Sequence, residues 1–230
     1  KKPIFELGSI FCGVVCGIMY AISKTVMLKG YEKTSVAFMT LCHSSGMILP
    51  CIIGHFFWSE KMSATSVLGM ILAIISIVLL KGGNGADKKF NFNGAIFGII
   101  VFLTSAGVMI AQKLMGIYFS KQSVSAYNFY SFVVPFLIIS CLVRPKKLVG
   151  EGKKNKLSVF VCALGSAVSL CIISFVMTSL SGRVSSVLLF PLFNGLGIIF
   201  VCIGSVFAFK EKLTAKKLTG SALGVIGLYL

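Results

Sequence analysis

The chain reads as an all-α polytopic membrane protein, and three observations carry that reading. Of its 230 residues, 57% are hydrophobic and only 12% are charged, about half the charged share of a soluble domain. The apolar residues fall into continuous runs of membrane-spanning length rather than alternating segments, so helices are expected and a barrel is not. The 22 Lys and Arg, against 6 Asp and Glu, lie mostly in the short gaps between those runs. Such charges flank a bilayer; they do not form the single basic face that nucleic acid requires, and no nucleic-acid partner is expected.

Eight spans follow from hydropathy. Span A runs from Leu7 to Leu28, B from Thr34 to Phe57, C from Ala64 to Leu80 and D from Asn93 to Tyr118. Span E runs from Ser123 to Val143, F from Leu157 to Leu180, G from Val184 to Phe209 and H from Leu213 to Leu230. The gap from Lys81 to Phe92 holds Gly82, Gly83, Asn84 and Gly85, and the gap from Arg144 to Lys156 holds six basic residues. Both are too short to fold as soluble domains. All eight cysteines sit inside apolar runs, without the spacing of a disulfide framework or a zinc site, and no metal or cofactor is expected.

The sequence repeats itself. Residues 5–79 align without a gap on residues 156–230 at an offset of 151, with seventeen identities in seventy-five positions. Chance in so apolar a composition gives roughly six. The identities include Ser35 with Ser186, Gly46 with Gly197, Cys51 with Cys202, Phe56 with Phe207, Glu60-Lys61 with Glu211-Lys212, and Gly69 with Gly220. Spans A, B and C therefore recur as F, G and H. Five spans separate the two Glu-Lys turns, an odd number that puts them on opposite faces of the membrane, so the repeats are expected to be inverted. Inverted repeats let a shared central site open to each side in turn, which is the architecture of secondary transporters.

The turn Phe56-Phe57-Trp58-Ser59-Glu60-Lys61-Met62-Ser63 running into Gly69, and its copy Phe207 to Thr214 running into Gly220, resemble the drug/metabolite transporter superfamily, EamA-like branch. The resemblance covers essentially the whole chain. It implies a 5+5 helix carrier of small metabolites or drugs in the cell membrane, with a cavity lined by A, B, D, F and G and with C, E and H peripheral. Residues 1–81 then hold the last three helices of the first repeat, residues 82–92 an interfacial loop, and residues 93–230 the second five-helix repeat. Two further helices are expected before span A.

Candidate cavity residues are the polar groups inside the spans, where lipid makes them costly and a function is the default explanation. His43 and Asn194 are equivalent under the repeat and lie near the middle of B and G. Pro191, three residues before Asn194, can free a carbonyl and interrupt G. Tyr20 and Lys24 share a face of A with Gly13 and Gly17, Gln112 and Lys113 lie inside D, and Asn128 lies in E. Lys24, His43 and Lys113 without an opposing acid would suit a polar or anionic solute. The competing readings are that His43 and Asn194 bond a neighbouring helix, and that Lys24 and Lys113, about a turn from their span ends, extend to the interface.

Glu60 and Glu211 are read as structural, complementing helix N-termini at the starts of C and H. Gly69 and Gly220 begin small-residue seams that pack helices within the chain or across a homodimer. Trp58, Tyr118, Tyr127 and Tyr130 are read as interface anchors. No residues converge as catalytic groups do, so an enzyme is not expected; a membrane-embedded enzyme and a scaffold that transports nothing are the alternatives to a carrier. Membrane orientation is read two ways. The A/B, C/D, E/F and G/H side carries 16 basic residues and the other 5, with Lys113 left inside D, which puts the richer side in the cytoplasm, whereas the family pattern puts it outside.

Overall fold

A computed structural model describes residues 7–33, 36–62, 92–119, 123–142 and 156–194, with residue 196 and isolated positions between 64 and 75. Among them every regular element is a helix: α1 (Leu7–Lys33), α2 (Val36–Ser45), α3 (Ile48–Phe57), α4 (Phe92–Tyr118), α5 (Val124–Leu142), α6 (Lys156–Ser181) and a helical stretch, residues 186–194, termed α7. Four of these helices, α1, α4, α5 and α6, contain segments long and apolar enough to cross a membrane. They correspond to spans A, D, E and F. Most of spans C and H, the end of G, and the residues Glu211, Lys212 and Gly220 lie outside the described residues.

Two boundaries differ from the sequence reading. Helix α1 continues to Lys33, past the last residue of span A, because Lys29, Glu32 and Lys33 are good helix formers that let the ladder run on beyond the apolar run. Lys24 is therefore nine residues from the helix end, ~14 Å of helix rise, rather than one turn. Span B is not one helix but two. Gly46 and Met47 form a turn between α2 and α3, with Gly46 N donating to the His43 carbonyl and Met47 N to the Ser44 carbonyl, both at 3.3 Å. Pro50, in the first turn of α3, has no N–H to return to the Gly46 carbonyl, so that bond is missing from the ladder at the break.

The described chain divides into two compact units. The first comprises residues up to Ala21 and from Ala111 to Arg183. Its close contacts depend on glycines: a Cβ on Gly13 would lie 2.7 Å from the Tyr127 carbonyl oxygen, and one on Gly17 would lie 2.8 Å from Val134 Cβ. This G-x-x-x-G face lets α1 and α5 meet backbone to backbone, the packing that replaces hydrophobic collapse inside lipid. Tyr127 is fully buried on that seam, which corrects its reading as an interface anchor, whereas Tyr118 is exposed at the end of α4. Helix α6 turns Leu164, Val168, Ile172 and Phe175 outward and buries Ser174, Thr178 and Ser181. An apolar exterior with hydroxyls inside is the polarity of a helix solvated by lipid.

The second unit comprises Ile22–Ile110 and the chain from Val184 onward. Met39, Met47, Cys51, Val101 and Phe190 form its fully buried apolar set, with Met62 packed against Cys51 and Val187. Lys33, at the end of α1, lies 5.6 Å from the centre of the Phe97 ring on α4.

Candidate functional site

The break between α2 and α3 places the polar groups of the second unit. Ending α2 at Ser45 frees carbonyls that an unbroken helix would use internally. The His43 carbonyl takes a hydrogen bond from Ser105 Oγ on α4 at 3.0 Å, besides the Gly46 N–H. Gly46 is required for that approach, since a Cβ there would strike the Ser105 hydroxyl and lie 3.0 Å from the Ala106 nitrogen. The His43 ring points to α1, where Lys24 Nζ is 3.5 Å from its Nε2. An ammonium only donates, so Nε2 accepts in this contact and the ring proton sits on Nδ1. At 3.5 Å the contact is long and weak, and an ammonium has two further donors to offer.

Pro191 and Asn194 lie in the same unit. Helix α7 runs unbroken through Pro191 as far as Asn194, whose Nδ2 donates to the Phe190 carbonyl at 2.9 Å. The interruption expected in span G is thus found in span B among the described residues, at the small residues that follow His43. Proline at 191 removes from the α7 ladder the bond to the Val187 carbonyl, yet the helix continues to Asn194.

The remaining candidates lie in the first unit. Gln112 and Lys113 on α4 are 5% and 3% exposed, so Lys113 does not extend to the protein surface as its competing reading requires. The Gln112 carbonyl accepts from Ser181 Oγ at 2.8 Å, which ties α4 to α6. Asn128 on α5 accepts from Ser174 Oγ at 2.6 Å and donates to the Val124 carbonyl at 3.0 Å. Ser131 Oγ bonds the Tyr127 carbonyl at 2.8 Å, and Thr178 Oγ1 the Ser174 carbonyl at 2.8 Å. Tyr20 stacks on Phe132 with ring centres 6.3 Å apart.

Two loci result: Lys24, His43 and Ser105 beside a broken helix in one unit, and a buried set of amides and hydroxyls on α4, α5 and α6 in the other. Sequence reasoning named Lys24, His43, Gln112, Lys113 and Asn128. It missed Ser105, Ser174, Thr178 and Ser181, although the last three share one helix face at spacings of four and three. Removing the Ser174 hydroxyl with Ser174→Ala leaves Asn128 Oδ1 short of its donor. A loss of about 1 kcal/mol in stability is expected, within the range of interhelical bonds in membranes, and thermal unfolding in detergent would show it as a lower Tm.

The chain matches no family profile. It is 25% identical over 234 residues to the glucose uptake protein GlcU of Bacillus subtilis (strain 168), a match covering 98% of this chain and 77% of that protein. It is 26% identical over 103 residues to the uncharacterized transporter YxxF of the same organism; that match spans 45% of this chain and about a third, 32%, of the relative. A solved structure described as "Crystal structure of protein" superposes with a TM-score of 0.77 at 13% identity, covering 97% of this chain and 75% of that one, a likeness of fold alone. The long apolar helices and these transporter-named relatives together support an integral, multi-pass membrane transporter.

Proposed function

We propose that the chain is a secondary carrier of the EamA-like drug/metabolite transporter type in the plasma membrane, moving a small polyhydroxylated solute by alternating access between two inverted repeats. The observation that carries this reading is the interrupted helix at Gly46-Met47, which sets His43 beside Lys24 within the chain's apolar helices. Broken helices at membrane depth line solute sites in carriers, because the carbonyls and polar side chains they release need partners that a solute can supply. A scaffold has no use for such a break.

The solute class rests on the donors present. Within the second unit Lys24 offers an ammonium, His43 an imidazole, Ser105 a hydroxyl and Asn194 a carboxamide, groups that suit the oxygens of a sugar or sugar acid, and the relative GlcU is named for glucose uptake. Glucose is therefore the first probe and sugar acids the second. Reconstituted in proteoliposomes, the chain is expected to take up at least one of them with saturable kinetics. Absence of saturable uptake across neutral hexoses, polyols and sugar acids would contradict the proposal. Within the class, unchanged transport of every sugar acid by Lys113→Ala would rule out an anionic solute held at that position.

A further inference from the structure

Lys24 is a positive charge without an acid. It lies within α1, and its polar contact among the described residues is the 3.5 Å approach of Nζ to His43 Nε2. The described part of the second unit holds two acids, Glu32 and Glu60, and both are placed elsewhere. Glu32 lies eight residues beyond Lys24 on α1, ~12 Å of helix rise. Glu60 lies in the turn after α3, where its Oε2 accepts from the Ser186 backbone N–H at 2.7 Å and its Oε1 lies 3.4 Å from Ser186 Oγ. There it complements the amino end of α7. Helices α2, α3, α7 and α4 as far as Ile110 hold no Asp or Glu.

An ammonium among apolar helices costs free energy unless a counter-charge meets it. A neutral imidazole at 3.5 Å is a poor substitute, since it offers one lone pair and no charge. Nor does protein seal the pair. Lys24 is exposed and His43 half-buried, so a solute can reach both.

The two tautomers of His43 serve an empty and an occupied seat. In the empty seat Nε2 accepts from the ammonium and the ring proton is on Nδ1. Beside a carboxylate, Nε2 must donate: one proton leaves Nδ1 for water and one arrives at Nε2 from water, and the ring stays neutral. The backbone does not need to follow. The His43 carbonyl is held by Ser105 Oγ at 3.0 Å and by Gly46 N at 3.3 Å.

Resting on the carrier reading above, we infer that Lys24 and His43 form a seat for one carboxylate, and that the carrier's own solute is a sugar acid rather than a neutral sugar. The ammonium donates to one carboxylate oxygen and His43 Nε2 to the other, so one long contact is exchanged for two charge-assisted hydrogen bonds. One negative charge balances Lys24. A phosphate monoester, at about −1.5 to −2 near neutral pH, leaves an excess that the neutral ring does not offset, and a neutral hexose leaves the ammonium uncompensated.

Glucose, glucuronate and glucuronamide separate these solutes, because they differ only at C6: a hydroxymethyl group, a carboxylate and its uncharged amide. Their binding to the full chain in lipid nanodiscs is measured by calorimetry near neutral pH, with glucose 6-phosphate as a fourth ligand. Glucuronate is expected to bind about tenfold or more tightly than glucose or glucuronamide, as for one hydrogen bond to a charged group. Lys24→Met is expected to bring the ratio of glucuronate to glucuronamide affinity to about one. His43→Phe, which keeps a ring without nitrogen, is expected to lower it by a smaller factor. An affinity ratio does not depend on how much of a sample is folded, so a poorly folding variant cannot imitate the result. The seat is overturned if glucuronate fails to bind or binds no tighter than glucuronamide, if glucose 6-phosphate binds tighter than glucuronate, or if either substitution leaves the ratio unchanged. Flux keeps the two readings apart. Saturable glucose exchange without glucuronate binding would sink the seat and keep the carrier; the expected binding ratios with no flux of any solute would sink the carrier and keep the seat.

Discussion

Lys24→Met is expected to lower solute transport about tenfold to a hundredfold while leaving the protein folded. Methionine keeps the length of the side chain and removes its ammonium. A hydrogen bond from a charged group to a bound oxygen contributes roughly 1.5 to 3 kcal/mol, and that range sets the fold-change. The alternative role for Lys24, anchoring at the membrane interface, predicts little change, because a surface charge there contributes to packing and not to solute binding. Initial rates in proteoliposomes separate the two, with Lys24→Arg as the conservative control that keeps the charge and restores part of the rate. His43→Gln keeps an acceptor near Nε2 and is expected to raise KM by less than Lys24→Met does. Its carbonyl, held by Ser105 Oγ at 3.0 Å, is untouched.

The largest loss of stability is expected at Gly116, where α4 meets the turn after α6. A Cβ there would strike the Ser181 hydroxyl and the Gly182 nitrogen, and one on Gly182 would strike the Gly116 carbonyl. Backbone cannot yield as a flexible side chain can, so Gly116→Val must separate the two helices and break the hydrogen bond from Ser181 Oγ to the Gln112 carbonyl, one turn earlier on α4. A destabilisation of about 3 kcal/mol or more is expected, at the upper end of overpacking. Gly165 on α6 is the internal control. Nothing lies within 4 Å of a Cβ built there, so Gly165→Ala is expected to be neutral or to stabilise by up to about 1 kcal/mol, the helix preference of alanine over glycine. Melting of both variants in the same detergent tests the contrast, and equal Tm values would contradict it.

The helices that matter most to lipid were legible because hydropathy measures them directly. Spans A, D, E and F are found as helices with ends within one residue or so, apart from the extension of α1 to Lys33. That extension was hidden because hydropathy reports depth in lipid, whereas a helix continues wherever its ladder can, through Lys29 and Glu32 into water. The break in span B was hidden for the opposite reason. Residues 34–57 are uncharged apart from any proton on His43 or His55, and Gly46 looks like any small residue of a packed membrane helix. The absent N–H of Pro50 is visible in the sequence, but the Ser105 hydroxyl on α4 that bonds the His43 carbonyl at the break is a tertiary fact.

The candidate site shows the same division. Lys24, His43, Gln112 and Asn128 stood out because each is costly in lipid and needs an explanation. Serine is nearly neutral on a hydropathy scale, so Ser105, Ser174 and Ser181 passed as filler, although they carry the bonds between helices. The Glu-Lys turn was visible twice in the sequence as a motif, yet its partner, the Ser186 N–H 126 residues away, depends on how the helices come together.

Solute counterflow tests the central proposal most directly. Vesicles holding the reconstituted chain are loaded with unlabelled glucose, or with a sugar acid if that is the solute taken up, and diluted into a trace of the labelled compound. A carrier that exposes one site to each side in turn is expected to accumulate label transiently above equilibrium, and Lys24→Met is expected to abolish the overshoot. Label that merely equilibrates, with loaded and empty vesicles alike for every solute tested, would contradict alternating access.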